Sequence, residues 1–176
     1  NNRFKIERLR TNIPWVNAGA GEGVIAFDGA MIDGVPIGAV KTKLQFKGES
    51  FTLPEVTLPM LDGAIKIKNV KAGREGKDWL GEFEGEVEPL SLPKLTAALK
   101  WPTMAGSLEG VIPRVRFDGK SIFIDGALQF KVFDGIVVAT NMQLNDALGA
   151  APQLEGTVVM SNLDLDVLTK TFSFGK

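Results

Sequence analysis

The sequence predicts a mainly β protein: an extended, twisted, mostly antiparallel sheet, groove-like or taco-like in section, with two short amphipathic helices. Three observations predict it. Six Asp-Gly dipeptides each follow an apolar residue, at Phe27-Asp28-Gly29, Ile32-Asp33-Gly34, Leu61-Asp62-Gly63, Phe117-Asp118-Gly119, Ile124-Asp125-Gly126 and Phe133-Asp134-Gly135. A type I′ hairpin turn needs positive φ at both central residues, which Gly takes freely and Asp tolerates. Apolar and polar residues alternate over most of the chain, the period of a strand with one wet face. Only two stretches keep helical spacing.

The alternation is clearest in Val40-Lys41-Thr42-Lys43-Leu44-Gln45-Phe46-Lys47, where the apolar set alternates with three Lys and a Gln. Ala64 to Lys68 and Val111 to Phe117 repeat it. Glu82-Phe83-Glu84-Gly85-Glu86-Val87-Glu88 is its acidic counterpart. A hairpin of 64–70 with 79–88 sets Lys66 and Lys68 across from Glu residues, and such pairs help fix register. Later strands read as drier: Leu128, Phe130 and Val132 on one face; Ile136, Val138, Met142 and Leu144 on one face; Leu154, Val158 and Met160 on one face. Ile122-Phe123-Ile124 reads as apolar on both sides.

The first helix spans 91–99, with Ser91 as N-cap, an early Pro93, and Leu92, Leu95 and Leu99 on one face. The second spans 164–172, with Leu165, Leu168 and Phe172 spaced alike and acidic residues at its start. Both are too short to stand alone and need a sheet to pack on.

The two helices mark a repetition with an offset of about 72 residues. Leu61-Asp62-Gly63 opens a strand that leads through Phe83-Glu84-Gly85 to the first helix; Phe133-Asp134-Gly135 opens one that leads through Leu154-Glu155-Gly156 to the second. The chain is read as a single segment, 1–176, of a longer protein, built of about two β-rich repeats over roughly 20–100 and 106–176.

Composition excludes several chemistries. Twenty basic and 21 acidic residues give a net charge of -1, which offers no basic field for a nucleic-acid backbone. There is no Cys, His or Tyr. Disulfides, thiol nucleophiles, Cys or His metal sites and Ser-His-Asp catalysis are removed together. No apolar run is long enough to cross a bilayer as a helix. Gly19-Ala20-Gly21-Glu22-Gly23 lacks the following helix that a phosphate loop needs, because Val24-Ile25-Ala26-Phe27 reads as strand. Asp164, Asp166, Asn145 and Asp146 do not assemble a calcium loop and read as caps. Trp15, Trp79 and Trp101 read as packing anchors. No metal, cofactor or catalytic residue is assigned.

Leu99-Lys100-Trp101-Pro102, Leu108-Glu109-Gly110-Val111-Ile112-Pro113, Ile124-Asp125-Gly126, Phe133-Asp134-Gly135, Leu163-Asp164-Leu165 and Phe172-Ser173-Phe174-Gly175 together resemble the AsmA-like superfamily of Gram-negative envelope proteins, of the TamB, YhdP and YdbH type. The nearest likeness is to the C-terminal region of the YdbH type, over roughly residues 88–176. The resemblance implies a periplasmic segment of a protein anchored in the inner membrane. It implies a long curved sheet whose apolar groove conducts phospholipid toward the outer membrane, with no catalytic residues to carry over.

The expected function is therefore a non-enzymatic segment of an intermembrane phospholipid transport bridge, supporting outer-membrane lipid homeostasis. Its partners are acyl chains, and the inner and outer membranes through regions outside this segment. The expected groove residues are Ile65, Ile67, Phe83, Val87, Leu128, Phe130, Val132, Val138, Met142, Val158 and Met160. The alternative is a non-enzymatic structural or interaction β-module with a closed, dry core. A hydrolase would need a pair of buried adjacent acids in a cleft.

Overall fold

The computed structural model describes residues 4–13, 19–132, 135–147, 149 and 151–162, with the backbone alone of Val132. The strands are β1 (Phe4–Glu7), β2 (Arg10–Asn12), β3 (Ala20–Phe27), β4 (Gly29–Ile32), β5 (Val35–Ile37), β6 (Val40–Lys47), β7 (Ser50–Met60), β8 (Gly63–Glu75) and β9 (Asp78–Ser91). The helix α1 (Leu92–Leu99) follows, then β10 (Ser107–Phe117), β11 (Ile122–Asp125), β12 (Ala127–Val132), β13 (Gly135–Asn145) and β14 (Gln153–Ser161). The mainly β, antiparallel architecture is that expected from the alternation.

The strands form an 11-stranded sheet and a 3-stranded one. The order β1-β4-β5 in the small sheet matches the order β2-β3-β6 at one end of the large sheet. Three stretches, 4–12, 20–32 and 35–47, thus run through both sheets and bend at a common level. Arg8 takes the bend with φ of 51°. The Asp28 N–H donates to the Glu7 carbonyl at 3.0 Å, and the Gly38 N–H donates to the Pro59 carbonyl at 2.7 Å. Arg8 and Arg10 both pair with the Asp28 carboxylate.

From β6 onward each strand pairs antiparallel with its sequence neighbour. β11 and β12 are two halves of one strand between β10 and β13, broken at Gly126, whose φ is 121°. The path is an up-and-down meander.

The Asp-Gly dipeptides divide into turns and bends. Asp33-Gly34, with φ of 47° and 89°, is the tight turn between β4 and β5. At the β7–β8 turn the positive-φ pair is Leu61-Asp62. Asp118-Gly119 opens a wider connection, and the Asp118 carboxylate accepts the Lys120 and Ser121 N–H groups. Asp28-Gly29 and Asp125-Gly126 reverse nothing: strands continue through them at a bend. Asp134 lies outside the described residues.

The helix α1 forms where predicted. The Ser91 hydroxyl accepts the Lys94 N–H at 3.4 Å, and Lys100 closes the C-terminus in the left-handed region. Leu95 packs toward Leu61, Val87 and Leu90, together with Val35, Met60, Ile65, Leu108, Ile112 and Phe130. This core lies at the end of the sheet that carries the 61–62 turn, here called the lower end. The second predicted helix, 164–172, lies outside the described residues.

Candidate lipid groove

Because the side chains of paired residues share a face, the register traces apolar rows across the sheet. Near the upper end, where the 48–49 and 76–77 turns lie, one row runs Gly21, Phe46, Phe51, Ala72, Gly81, Phe117, Ile122, Leu144 and Leu154. At about 4.8 Å per strand it extends for roughly 40 Å. A lower row runs Leu58, Ile65, Val87, Gly110, Phe130, Val137 and Met160. Gly110 is the close approach in that row: a Cβ there would overlap the Gln129 carbonyl and the Phe130 ring.

The two rows differ in cover. The lower one passes under α1, and Val87 is buried in the core. In the upper one Phe46, Phe51, Ala72, Gly81, Phe117, Ile122 and Leu144 are half-buried, and Leu154 is exposed. The Trp79 ring lies 6.4 Å from Phe51, centroid to centroid, and is itself exposed.

The structure brings most of the expected groove residues to this apolar face. Ile65, Val87 and Phe130 belong to the lower row. Ile67 pairs with Gly85 beside it, Phe83 pairs with Val115, and Leu128 pairs with Ala139. Met142 lies against Gly156. Val158 and Met160 reach the face from β14, where both are exposed. Val132 pairs with Gly135 through its backbone, and its side chain lies outside the described residues.

Val138 is corrected. It pairs with Gln129 and stands on the charged face, as Ile136 does opposite Lys131. The cause is a bulge at Asn141, where φ is 53° and the β13–β14 register shifts. One extra residue flips the alternation. Val137 and Ala139 face the groove before the bulge; Met142 and Leu144 face it after. Asn69 does the same in β8, 72 positions earlier, with φ of 53° and a register shift toward β9. The short strand β11 is apolar on both sides as read: Phe123 stands on the face opposite Ile122 and Ile124, with the Arg116 guanidinium 5.5 Å from its ring centroid. One smaller expectation is corrected: Trp101, read as a packing anchor, is 55% exposed. Trp15 lies outside the described residues.

The charged face is a ladder of ion pairs. Lys66 meets Glu88 at 2.6 Å and Glu86 at 3.5 Å, and Lys68 meets Glu86 at 3.0 Å. Lys71 meets Glu82 at 2.9 Å, Arg114 pairs with the same carboxylate, and Arg116 meets Asp125 at 2.5 Å. Lys71, then Arg114, holds Glu82 below the usual carboxylate range; Lys68, then Lys66, does so for Glu86; Arg116 does so for Asp125. A cleft of about 610 Å³ forms a shallow trough over β7–β10. Its lining draws on both faces, with Phe51, Ala72 and Phe117 of the upper row beside Lys71, Glu82 and Arg116.

Among the described residues the buried polar side chains are Thr96 and Ser121, and no carboxylate is buried. No group of acids among them is placed to hold a metal ion, and no buried side-chain polar atom lacks a partner. No helix among them is long and apolar enough to cross a membrane.

The residues that sequence reasoning missed are those of the upper row, Phe46, Phe51, Ala72 and Phe117. Val40 to Phe46 gave the signal for Phe46. Ala72 lies beyond the Asn69 bulge, where the alternation read from Ala64 to Lys68 changes phase, and Phe51 pairs with it. No family model, curated protein or solved structure matches this chain.

Proposed function

We propose that this chain is a periplasmic segment of an intermembrane phospholipid bridge and that its apolar face carries acyl chains. The observation that carries the reading is the upper row: an apolar stripe crossing the sheet from β3 to β14, half-buried as far as β13 and exposed at Leu154. An acyl chain needs continuous apolar surface, and burying that surface against lipid is favourable at roughly 25 cal/mol per Å². The opposite face is charged and internally paired, as suits contact with water. Few buried polar groups interrupt the stripe, which supports a role in carrying rather than transforming a ligand.

The test uses the chain purified without detergent, with a photo-crosslinking residue at Phe51, Phe117, Phe130, Met142 or Val138 in turn. The expected result is co-purified phospholipid in native mass spectrometry, with lipid adducts at Phe51 and Phe117 and none at Val138. No phospholipid, together with no adduct at any apolar-face position in the full-length protein, would overturn the reading. That outcome supports the second reading, a structural module with a dry core, which the packed cluster of Leu61, Val87 and Leu90 under α1 favours.

A further inference from the structure

The two long edges of the large sheet are built differently. At one edge β2 is three residues long and polar, and Arg8 and Arg10 are tied to Asp28 beside it. Short, charged, bent edges of this kind resist pairing with another chain. At the other edge β14 is nine residues long, and all nine are exposed. Its neighbour among the described residues is β13 alone. One face of β14 is apolar, with Leu154, Val158 and Met160 67%, 52% and 61% exposed; the other is mostly polar, with Gln153, Glu155, Thr157 and Ser161 beside Val159, itself 54% exposed. It holds no Pro and a single charge, Glu155.

We infer that β14 pairs antiparallel with β14 of a second copy of this chain, about a two-fold axis at Thr157. The strand is self-complementary in that register. Leu154 falls opposite Met160, Glu155 opposite Val159, Gly156 opposite Val158, and Thr157 opposite its own counterpart. All nine residues find partners, and the two Glu155 carboxylates stay apart. A two-fold axis normal to the sheet keeps both apolar faces on one side. The upper row, which ends at Leu154, then meets the lower row of the partner, which ends at Met160, so the apolar stripe continues from one copy into the next. Isologous pairing closes the assembly at two.

The chain has no Cys, so single-cysteine variants report directly. Thr157→Cys sets two thiols opposite each other across the axis, within reach of a disulfide. The wild-type chain is expected to sediment at twice its 19.0 kDa mass. Thr157→Cys is expected to give a disulfide dimer under mild oxidation, and Lys120→Cys, in the β10–β11 connection, is not. Val159→Lys, facing Glu155 of the other copy, should tighten the dimer about two- to thirty-fold, and Val159→Glu should weaken it by a similar factor. Circular dichroism confirms that each variant folds. A chain monomeric at all concentrations, with no Thr157→Cys product, overturns the inference. So does equal weakening by both charges at position 159, which would mark unspecific apolar contact. Growth into open filaments overturns it as well, because it requires a head-to-tail edge.

Discussion

Asn69 and Asn141 hold left-handed backbone in the interior of long strands. Each takes the extra residue of a bulge, and Asn tolerates that conformation better than a residue with a bulky Cβ substituent. Asn141→Val should therefore cost about 1–2 kcal/mol in urea unfolding, whereas Asn141→Gly should change stability by less than about 1 kcal/mol in either direction. Equal losses for both would show that the Asn side chain, not the backbone, matters there. These two residues also mark where the sequence was hard to read. Strict alternation from Ile136 to Leu144 puts Val138 in the groove, and nothing in the residue types announces the slip at Asn141. Turn chemistry was read more easily than turn position. Asp33-Gly34 is a turn, but Asp28-Gly29 has the same composition and only bends its strand. The tight β6–β7 and β8–β9 turns use Gly48-Glu49 and Gly76-Lys77, with φ of 59° and 64° at Gly.

At the scale of the element, α1 was legible because its cap, its early Pro and its Leu spacing agree. Its interior holds one residue that periodicity does not explain. Thr96 is 1% exposed, and its hydroxyl donates to the Leu92 carbonyl at 2.9 Å and accepts the Met104 N–H at 3.4 Å. It ties the helix to the chain that returns toward β10. Thr96→Val keeps the shape and leaves the Met104 N–H without that partner. The expected cost is about 1–3 kcal/mol by chemical denaturation, with hydrogen exchange speeding up at Met104 before the sheet amides. Unchanged exchange there would remove the hydroxyl from the account. The hairpin of β8 and β9 was legible too, since Lys66 does face Glu86 and Lys68 does face Glu84. The upper apolar row was not, because a row runs across strands and depends on every register between them.

For the whole molecule, the charged face sets the response to acid. Glu82, Glu86, Asp118 and Asp125 all have carboxyls held below their ordinary range, Asp118 by the N–H groups of Ser121 and Lys120. Groups depressed on folding add stability that is fully present above their unfolded values, near pH 4, and lost as pH falls through the folded ones. The melting temperature should therefore hold from about pH 7 to 5 and fall below about pH 4. Glu82→Gln should flatten that fall, and an unaltered acid limb in Glu82→Gln would assign the sensitivity elsewhere. The meander itself has a kinetic consequence. Once the bent stretches 4–12, 20–32 and 35–47 are each taken as one strand, every strand lies beside the strand before it in the chain. Among the described residues no ladder waits on a distant partner, so the closure entropy is met one short connection at a time. A large β-sheet of this kind should collapse by zippering from any of its tight turns rather than by a slow search for non-local strand pairs.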